Sequence, residues 1–196
     1  MCVFCGSSAG TNPEYIKTAK ELGRYIATSG RTLVYGGAAV GTMGALADGA
    51  LGAGGKVVGV MPTTLKGLEV AHPGLTEFYT VQNMHERKQK MAELSDCFVA
   101  LPGGLGTLDE IFDIISGAQL QFHSKPVALL NVLDYYKHLS MFLDHVCNEG
   151  FLMPIHRNMI GVFDSIEMMF EWFENYNPPA LDMKKWVEEK KKGSVH

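Results

Sequence analysis

Several things are scarce or missing in this chain, and each narrows what it can do. Positive charge is not in excess: 17 Lys and Arg stand against 21 Asp and Glu, leaving a net charge of −4. A protein with that balance has no general basic field to draw nucleic acid. Hydrophobic residues make up 46%, yet no uninterrupted apolar run approaches the roughly 20 residues that span a bilayer. The start of the chain passes at once into a strand-like run, without the basic stretch and apolar core of a secretion signal. Only four cysteines occur, in keeping with a reducing compartment. Together these absences predict a soluble cytoplasmic protein without a nucleic-acid or membrane partner.

Two of the cysteines, Cys2 and Cys5, form a C-x-x-C. A zinc site needs a second such pair, which is missing, and the redox form of the motif sits at a helix start. In an extended strand these two side chains face opposite ways, so they read as buried strand cysteines. The histidines are scattered. His138 and His145 share a helix face, but Met141 and Phe142 lie between them, which predicts packing rather than a ligand pair.

Strand-like runs alternate with helical patterns, the signature of a doubly wound α/β fold: a mostly parallel sheet with helices on both faces. Strands are expected at about 1–5, 32–35, 57–61, 78–81, 97–101, 127–131 and 159–162. Helices are expected over about 13–28, around Met43 to Ala50, and over about 84–94, 107–122, 134–148 and 165–176. The stretch from Thr63 to Gly74 reads as a loop-like flap. No internal repeat is visible, so one globular domain is expected over 1–177. Pro178-Pro179 then introduces a charged tail, 178–196, carrying Lys190-Lys191-Lys192.

The most telling segment is Pro102-Gly103-Gly104-Leu105-Gly106-Thr107-Leu108-Asp109-Glu110, directly after the apolar run Cys97–Leu101. A glycine turn feeding a helix N-terminus offers unpaired N–H groups and a positive dipole end to an anion, most often phosphate. The spacing fits neither the Walker lysine loop nor the dinucleotide fingerprint. Two further strands end in small-residue loops: Gly6-Ser7-Ser8, and Gly36-Gly37 with Gly41 to Gly44. Ligands of such sheets gather outside the carboxyl ends of the strands. A bound nucleotide or phosphosugar is therefore expected, held by the Gly104, Gly106 and Thr107 amides, with Ser8, Gly37 and Gly103 in the surrounding loops.

Two acid–base features stand near that turn. Glu110 has two readings: Thr107-x-x-Glu110 fits a capping box, and Glu110 also suits a carboxylate facing the crevice. Arg87 shares a helical stripe with Met84, Met91 and Leu94. A guanidinium on an apolar stripe either finds a carboxylate or phosphate, or reaches past the methionines to water. Lys88 adds charge beside it.

The run Met84-His85-Glu86-Arg87-Lys88, followed by Pro102 to Glu110, resembles the Lonely Guy (LOG) family of cytokinin riboside 5′-monophosphate phosphoribohydrolases. The likeness extends to Cys5-Gly6-Ser7-Ser8 and to Tyr35-Gly36-Gly37 with Gly41 and Met43-Gly44, and reaches about Asp164. It implies a Rossmann-like homodimer that hydrolyses the N-glycosidic bond of an adenosine 5′-monophosphate, plain or N6-substituted. Free base and ribose 5-phosphate are released with no metal or organic cofactor. By the same resemblance Arg87 and Glu110 correspond to the catalytic pair, and Lys88, Gly104 to Thr107, Glu69 and Ser116 to nucleotide-binding positions. Ala38, where many members carry a third glycine, and Thr42, in place of a leucine, depart from the pattern in a loop that bears on base preference.

The residues then suggest phosphate-anchored hydrolysis. Glu110 would stabilise the oxocarbenium-like charge on the ribose and Arg87 would orient Glu110. The alternatives are a general AMP nucleosidase, which differs only at the base, and a carrier of a phosphorylated pterin or molybdenum cofactor that performs no chemistry. Relatives labelled lysine decarboxylases would need a pyridoxal-binding lysine, and none is marked.

Overall fold

Short, mostly apolar runs richest in valine and phenylalanine become seven strands among the described residues. They are β1 (Cys2–Phe4), β2 (Leu33–Tyr35), β3 (Val57–Pro62), β4 (Glu77–Val81), β5 (Phe98–Ala100), β6 (Val127–Leu130) and β7 (Ile160–Phe163). The computed structural model describes residues 1–65 and 70–180. Its strands form one sheet in the order β4-β3-β2-β1-β5-β6-β7, with every neighbouring pair parallel. β1, β2, β3, β5 and β6 are buried throughout, as strands covered on both faces must be. The two edge strands, β4 and β7, are the more exposed ones.

Seven α-helices accompany the strands among the described residues: α1 (Pro13–Thr28), α2 (Gly41–Gly52), α3 (Met84–Glu93), α4 (Leu105–Gln119), α5 (Lys137–Asn148), α6 (Pro154–Arg157) and α7 (Ile166–Glu174). The alternation of side chains along each strand divides the core. Val3, Cys5, Leu33 and Tyr35 pack with Leu22 and Ile26 of α1, Leu46 of α2 and Phe170 of α7. Cys2, Phe4, Val34 and Val60 pack on the other face with Met91 of α3, Ile111 and Ile114 of α4, and Leu143 of α5. The fold is the expected doubly wound, Rossmann-like one. From β1 the chain winds outward through β2, β3 and β4, then returns to place β5 on the other side of β1 and winds outward again. The order of the strands reverses between β1 and β5, where a parallel sheet opens a crevice at its carboxyl end.

Three expectations are corrected, and one short helix was not foreseen. α4 begins at Leu105 with Gly104 as its N-cap, two residues before Thr107. Glycine supplies the extended cap backbone, so Thr107 is the third helical residue and the capping box with Glu110 does not form. The helix expected from Asp134 starts instead at Lys137, because Leu133 and Asp134 adopt left-handed backbone that no helix contains. Met141 and Phe142, each 59% exposed, are not buried among the described residues, and His138 and His145 are exposed beside them. The short helix α6 had no clear signal apart from Pro154 at its start. Glu69 and residues 181–196 of the tail lie outside the described residues. No described helix is long and apolar enough to cross a membrane.

Candidate functional site

The loops after β1 and β5 face each other across the strand-order reversal and enclose a cavity of about 290 Å³. Gly6, Ser7 and Ser8 form one wall, and the Pro102–Gly104 turn forms the other. Thr42, at the start of α2, closes the floor, its hydroxyl donating to the Gly6 carbonyl at 2.9 Å. Among the described residues, no charged side chain lines the cavity. What it offers is hydroxyls and the N-terminus of α4. No side chain caps that helix, and its first internal hydrogen bond runs from Leu108 N–H to Gly104 O at 3.2 Å. The amides of Leu105, Gly106 and Thr107 precede that bond and carry the positive end of the helix dipole. Gly103 has no room for a side chain: a Cβ there would lie 2.1 Å from the Thr107 hydroxyl.

Arg87 and Glu110 stand on the other side of α4's first turns. The helix bearing Arg87 is fixed by its own cap. Asn83 Oδ1 accepts the Glu86 N–H at 2.9 Å, and the Glu86 carboxylate accepts the Gln82 N–H at 2.9 Å. Arg87 is 6% exposed and Glu110 7%. The guanidinium does not reach water. Its Nε donates to the Val60 carbonyl at 3.1 Å, and Nη1 lies 3.7 Å from Glu110 Oε1. Gly36, just past β2, makes this placement possible, since a Cβ there would sit 2.0 Å from Nη2. At 3.7 Å the pair attracts with about 4 kcal/mol at an effective dielectric near 20, an attraction that offsets much of the cost of burying both charges. Glu110 is six residues beyond Gly104, about 9 Å along the helix axis, and neither it nor Arg87 lines the cavity itself.

The other candidates divide. Ser8, Gly103 and Gly104 meet at the cavity, with Gly106 and Thr107 on the adjoining helix turn. Gly37 holds a positive φ of 85° and its carbonyl accepts the His72 N–H at 2.9 Å, which ties the second loop to the segment after the flap. Lys88 is engaged on the flank of α4, 3.3 Å from Asp109 and 3.6 Å from Asp113. Ser116 is exposed on α4 about 14 Å beyond Thr107, out of reach of the cavity in the same chain. Two residues on the cavity wall, Tyr15 and Tyr135, carried no signal in the sequence. Tyr135 fell within an expected helix, and only the left-handed turn before it brings it there.

The cysteines behave as packing residues. Cys2 and Cys5 lie in the two different core layers. Burial pushes the Cys5 thiol up to about 12 and the Cys2 thiol well above its ordinary value. Both remain protonated and unreactive at neutral pH. Among the described residues, no three His, Cys, Asp or Glu side chains gather closely enough to hold a metal ion.

Comparison with known proteins places the chain in a family. A family model described as "Possible lysine decarboxylase" matches residues 43–172. The cytokinin riboside 5′-monophosphate phosphoribohydrolase of Rhodococcoides fascians is 48% identical over 168 residues, covering 85% of each chain. An Arabidopsis thaliana protein of the same name is 41% identical over 194 residues, 97% of this chain and 85% of its own. The molybdenum cofactor carrier protein of Chlamydomonas reinhardtii shares the fold, with a TM-score of 0.68 at 23% identity over 89% of this chain and 94% of that one. With two thirds or more of its sequence aligned to such relatives, and with the arginine-bearing helix and glycine turn in place, the chain belongs to the Lonely Guy (LOG) family of cytokinin riboside 5′-monophosphate phosphoribohydrolases.

Proposed function

We propose that this protein hydrolyses the N-glycosidic bond of adenosine 5′-monophosphates, including N6-substituted ones, to free base and ribose 5-phosphate. The observation that carries the reading is the buried Arg87–Glu110 pair, 3.7 Å apart, with Glu110 on the helix whose N-terminus, without a side-chain cap, borders a cavity that no described charged side chain lines. The names of the relatives point to the same substrate class.

The 5′-phosphate sits against the amides of Leu105, Gly106 and Thr107, beside Ser8. Gripping this remote group fixes the ribose and directs binding energy to the reacting bond. As the bond between C1′ and the base nitrogen breaks, the sugar gains oxocarbenium-like charge, which the Glu110 carboxylate stabilises. Arg87, held by the Val60 carbonyl, keeps that carboxylate in one orientation. Water supplies the new C1′ hydroxyl, and its second proton balances the departing base. Lys88 lies on the flank of α4 beside Asp109 and Asp113 and does not line the cavity, which argues against the imine-forming lysine a decarboxylase would need.

A homodimer is part of this reading. Leu105 is 86% exposed at the start of α4, Leu120 is 52% exposed at its end and Phe122 81% just beyond. Ser116 is exposed on the same helix. A second copy laid over α4 would bury these apolar side chains and bring Ser116 to a neighbouring site. All four cysteines are free, which supports a cytoplasmic setting.

The test is a panel of AMP, N6-isopentenyl-AMP and their nucleosides, with released base measured by chromatography. Release from the monophosphates and not from the nucleosides is expected. No release from either monophosphate would leave the carrier reading in its place, and equal release from nucleosides would remove phosphate anchoring.

A further inference from the structure

The connection between β6 and α5 is strained. Leu133 holds φ 52° and ψ 41°, and Asp134 follows with φ 59°. Two successive left-handed residues, neither of them glycine, are costly for L-amino acids and persist only where the surroundings over-determine them. The surroundings here do so. Asn131 is 8% exposed, and its side-chain oxygen accepts the Tyr136 N–H at 2.7 Å. Its amide nitrogen donates to Asp164 at 2.9 Å and to Asp134 at 3.4 Å.

The product of the strain is a pair of tyrosines aimed at the glycine turn. Tyr136 is 1% exposed and donates its hydroxyl to the Leu101 carbonyl at 2.6 Å. Tyr135 donates to the Gly103 carbonyl at 2.6 Å. Its ring is 43% exposed, lines the cavity, and meets Tyr15 edge-on at 5.9 Å and Tyr136 at 5.1 Å. The peptide between Gly103 and Gly104 is planar and trans, so its carbonyl and N–H point in opposite directions. Flanked by two glycines, that unit has little steric resistance to turning over. Turned over, it would change which of its two dipole ends faces an anion at the α4 N-terminus. The Tyr135 hydroxyl secures its carbonyl end.

We propose that Tyr135 is a positioning residue, its hydroxyl latching the Gly103–Gly104 peptide in the orientation that receives the 5′-phosphate, with the Leu133–Asp134 turn holding the latch in place. This rests on the phosphate-anchored reading above, and it adds a residue that does not touch the reacting bond. The latch therefore acts first on the grip of the monophosphate and touches no reacting atom.

The experiment compares Tyr135→Phe, which removes one oxygen and keeps the ring against Tyr15 and Tyr136, with the unaltered full-length protein. KM for AMP or N6-isopentenyl-AMP is expected to rise about tenfold while kcat changes less than about threefold, consistent with the loss of one restraint on binding. Inorganic phosphate should weaken as a competitive inhibitor by a similar factor, and the melting temperature should stay close to that of the parent. An unchanged KM with unchanged phosphate inhibition overturns the latch. So does a fall in kcat at constant KM, which would place the hydroxyl in the chemistry itself. AMP binding measured by calorimetry separates the two layers. If no base is released by either protein but Tyr135→Phe still weakens AMP, the proposed reaction fails and the latch stands. If Tyr135→Phe binds AMP as the parent does, the latch fails regardless of activity.

Discussion

Arg87 and Glu110 carry different kinds of information. Arg87 was conspicuous in the sequence because a guanidinium on a stripe of methionine and leucine must be paired or must escape to water. It is paired, and Gly36 gives up a side chain to make space. Glu110 was ambiguous, since residue spacing does not say where a helix begins. Moving the start from Thr107 to Leu105 turns a capping acid into a residue buried beside Arg87. Glu110→Gln keeps the shape and removes the charge. Base release from a monophosphate is expected to fall by roughly 10²–10⁴, the usual range for loss of a positioned acid or base. Normal turnover in a steady-state assay of that variant would leave the carboxylate with no part in the reaction.

At the scale of elements, the strands were legible because runs buried on both faces are short and apolar with glycine or proline at their ends. α1 was equally plain, with Asn12 as cap and Pro13 at its first position. The β6–α5 connection was not, because Leu133 and Asp134 are ordinary helix-compatible residues whose left-handed backbone is imposed by Asn131 and by the tyrosine hydroxyls. Leu133 is 55% exposed, so replacing it loses little burial. In Leu133→Gly the relief of left-handed strain, about 1–2 kcal/mol, is set against about 0.5–1 kcal/mol of added backbone freedom in the unfolded chain. The melting temperature should hold or rise by a few degrees. Leu133→Val, β-branched at the same position, should lower it. A thermal melt in which glycine destabilises more than valine would show that the turn is not strained.

For the whole molecule, the decisive feature is the order of the strands. It sets the turns after β1 and β5 side by side, although 96 positions separate Gly6 from Pro102 in sequence. Acid stability is also a property of the whole fold. His156 is 4% exposed, its Nδ1 has no hydrogen-bond partner among the described residues, and burial lowers its pKa below the ordinary 6.5. His123, half-buried, is lowered for the same reason. A histidine held neutral in the fold takes up its proton more readily when unfolded. The unfolded state therefore binds more protons below about pH 6.5, and stability falls as the pH drops through that value. The melting temperature is expected to be steady above pH 7 and to decline towards pH 5, with a shallower decline in His156→Gln. An identical pH slope in that variant would assign the acid sensitivity to other groups.

The amino-acid sequence by itself determined the layered α/β class, a glycine turn feeding a helix N-terminus, and for Arg87 the choice between pairing with an anion and reaching past the methionines to water. Each of these follows from local pattern: periodicity, chain reversal at small residues, and the cost of burying a charge. Only the tertiary structure decided that the partner is Glu110, that Lys88 is taken up by Asp109 and Asp113, that Ser116 is exposed and does not line the cavity, and that two tyrosines grip the turn. Those outcomes depend on contacts between segments far apart in the chain. Strand order and one strained connection create them, and neither leaves a trace in residue spacing.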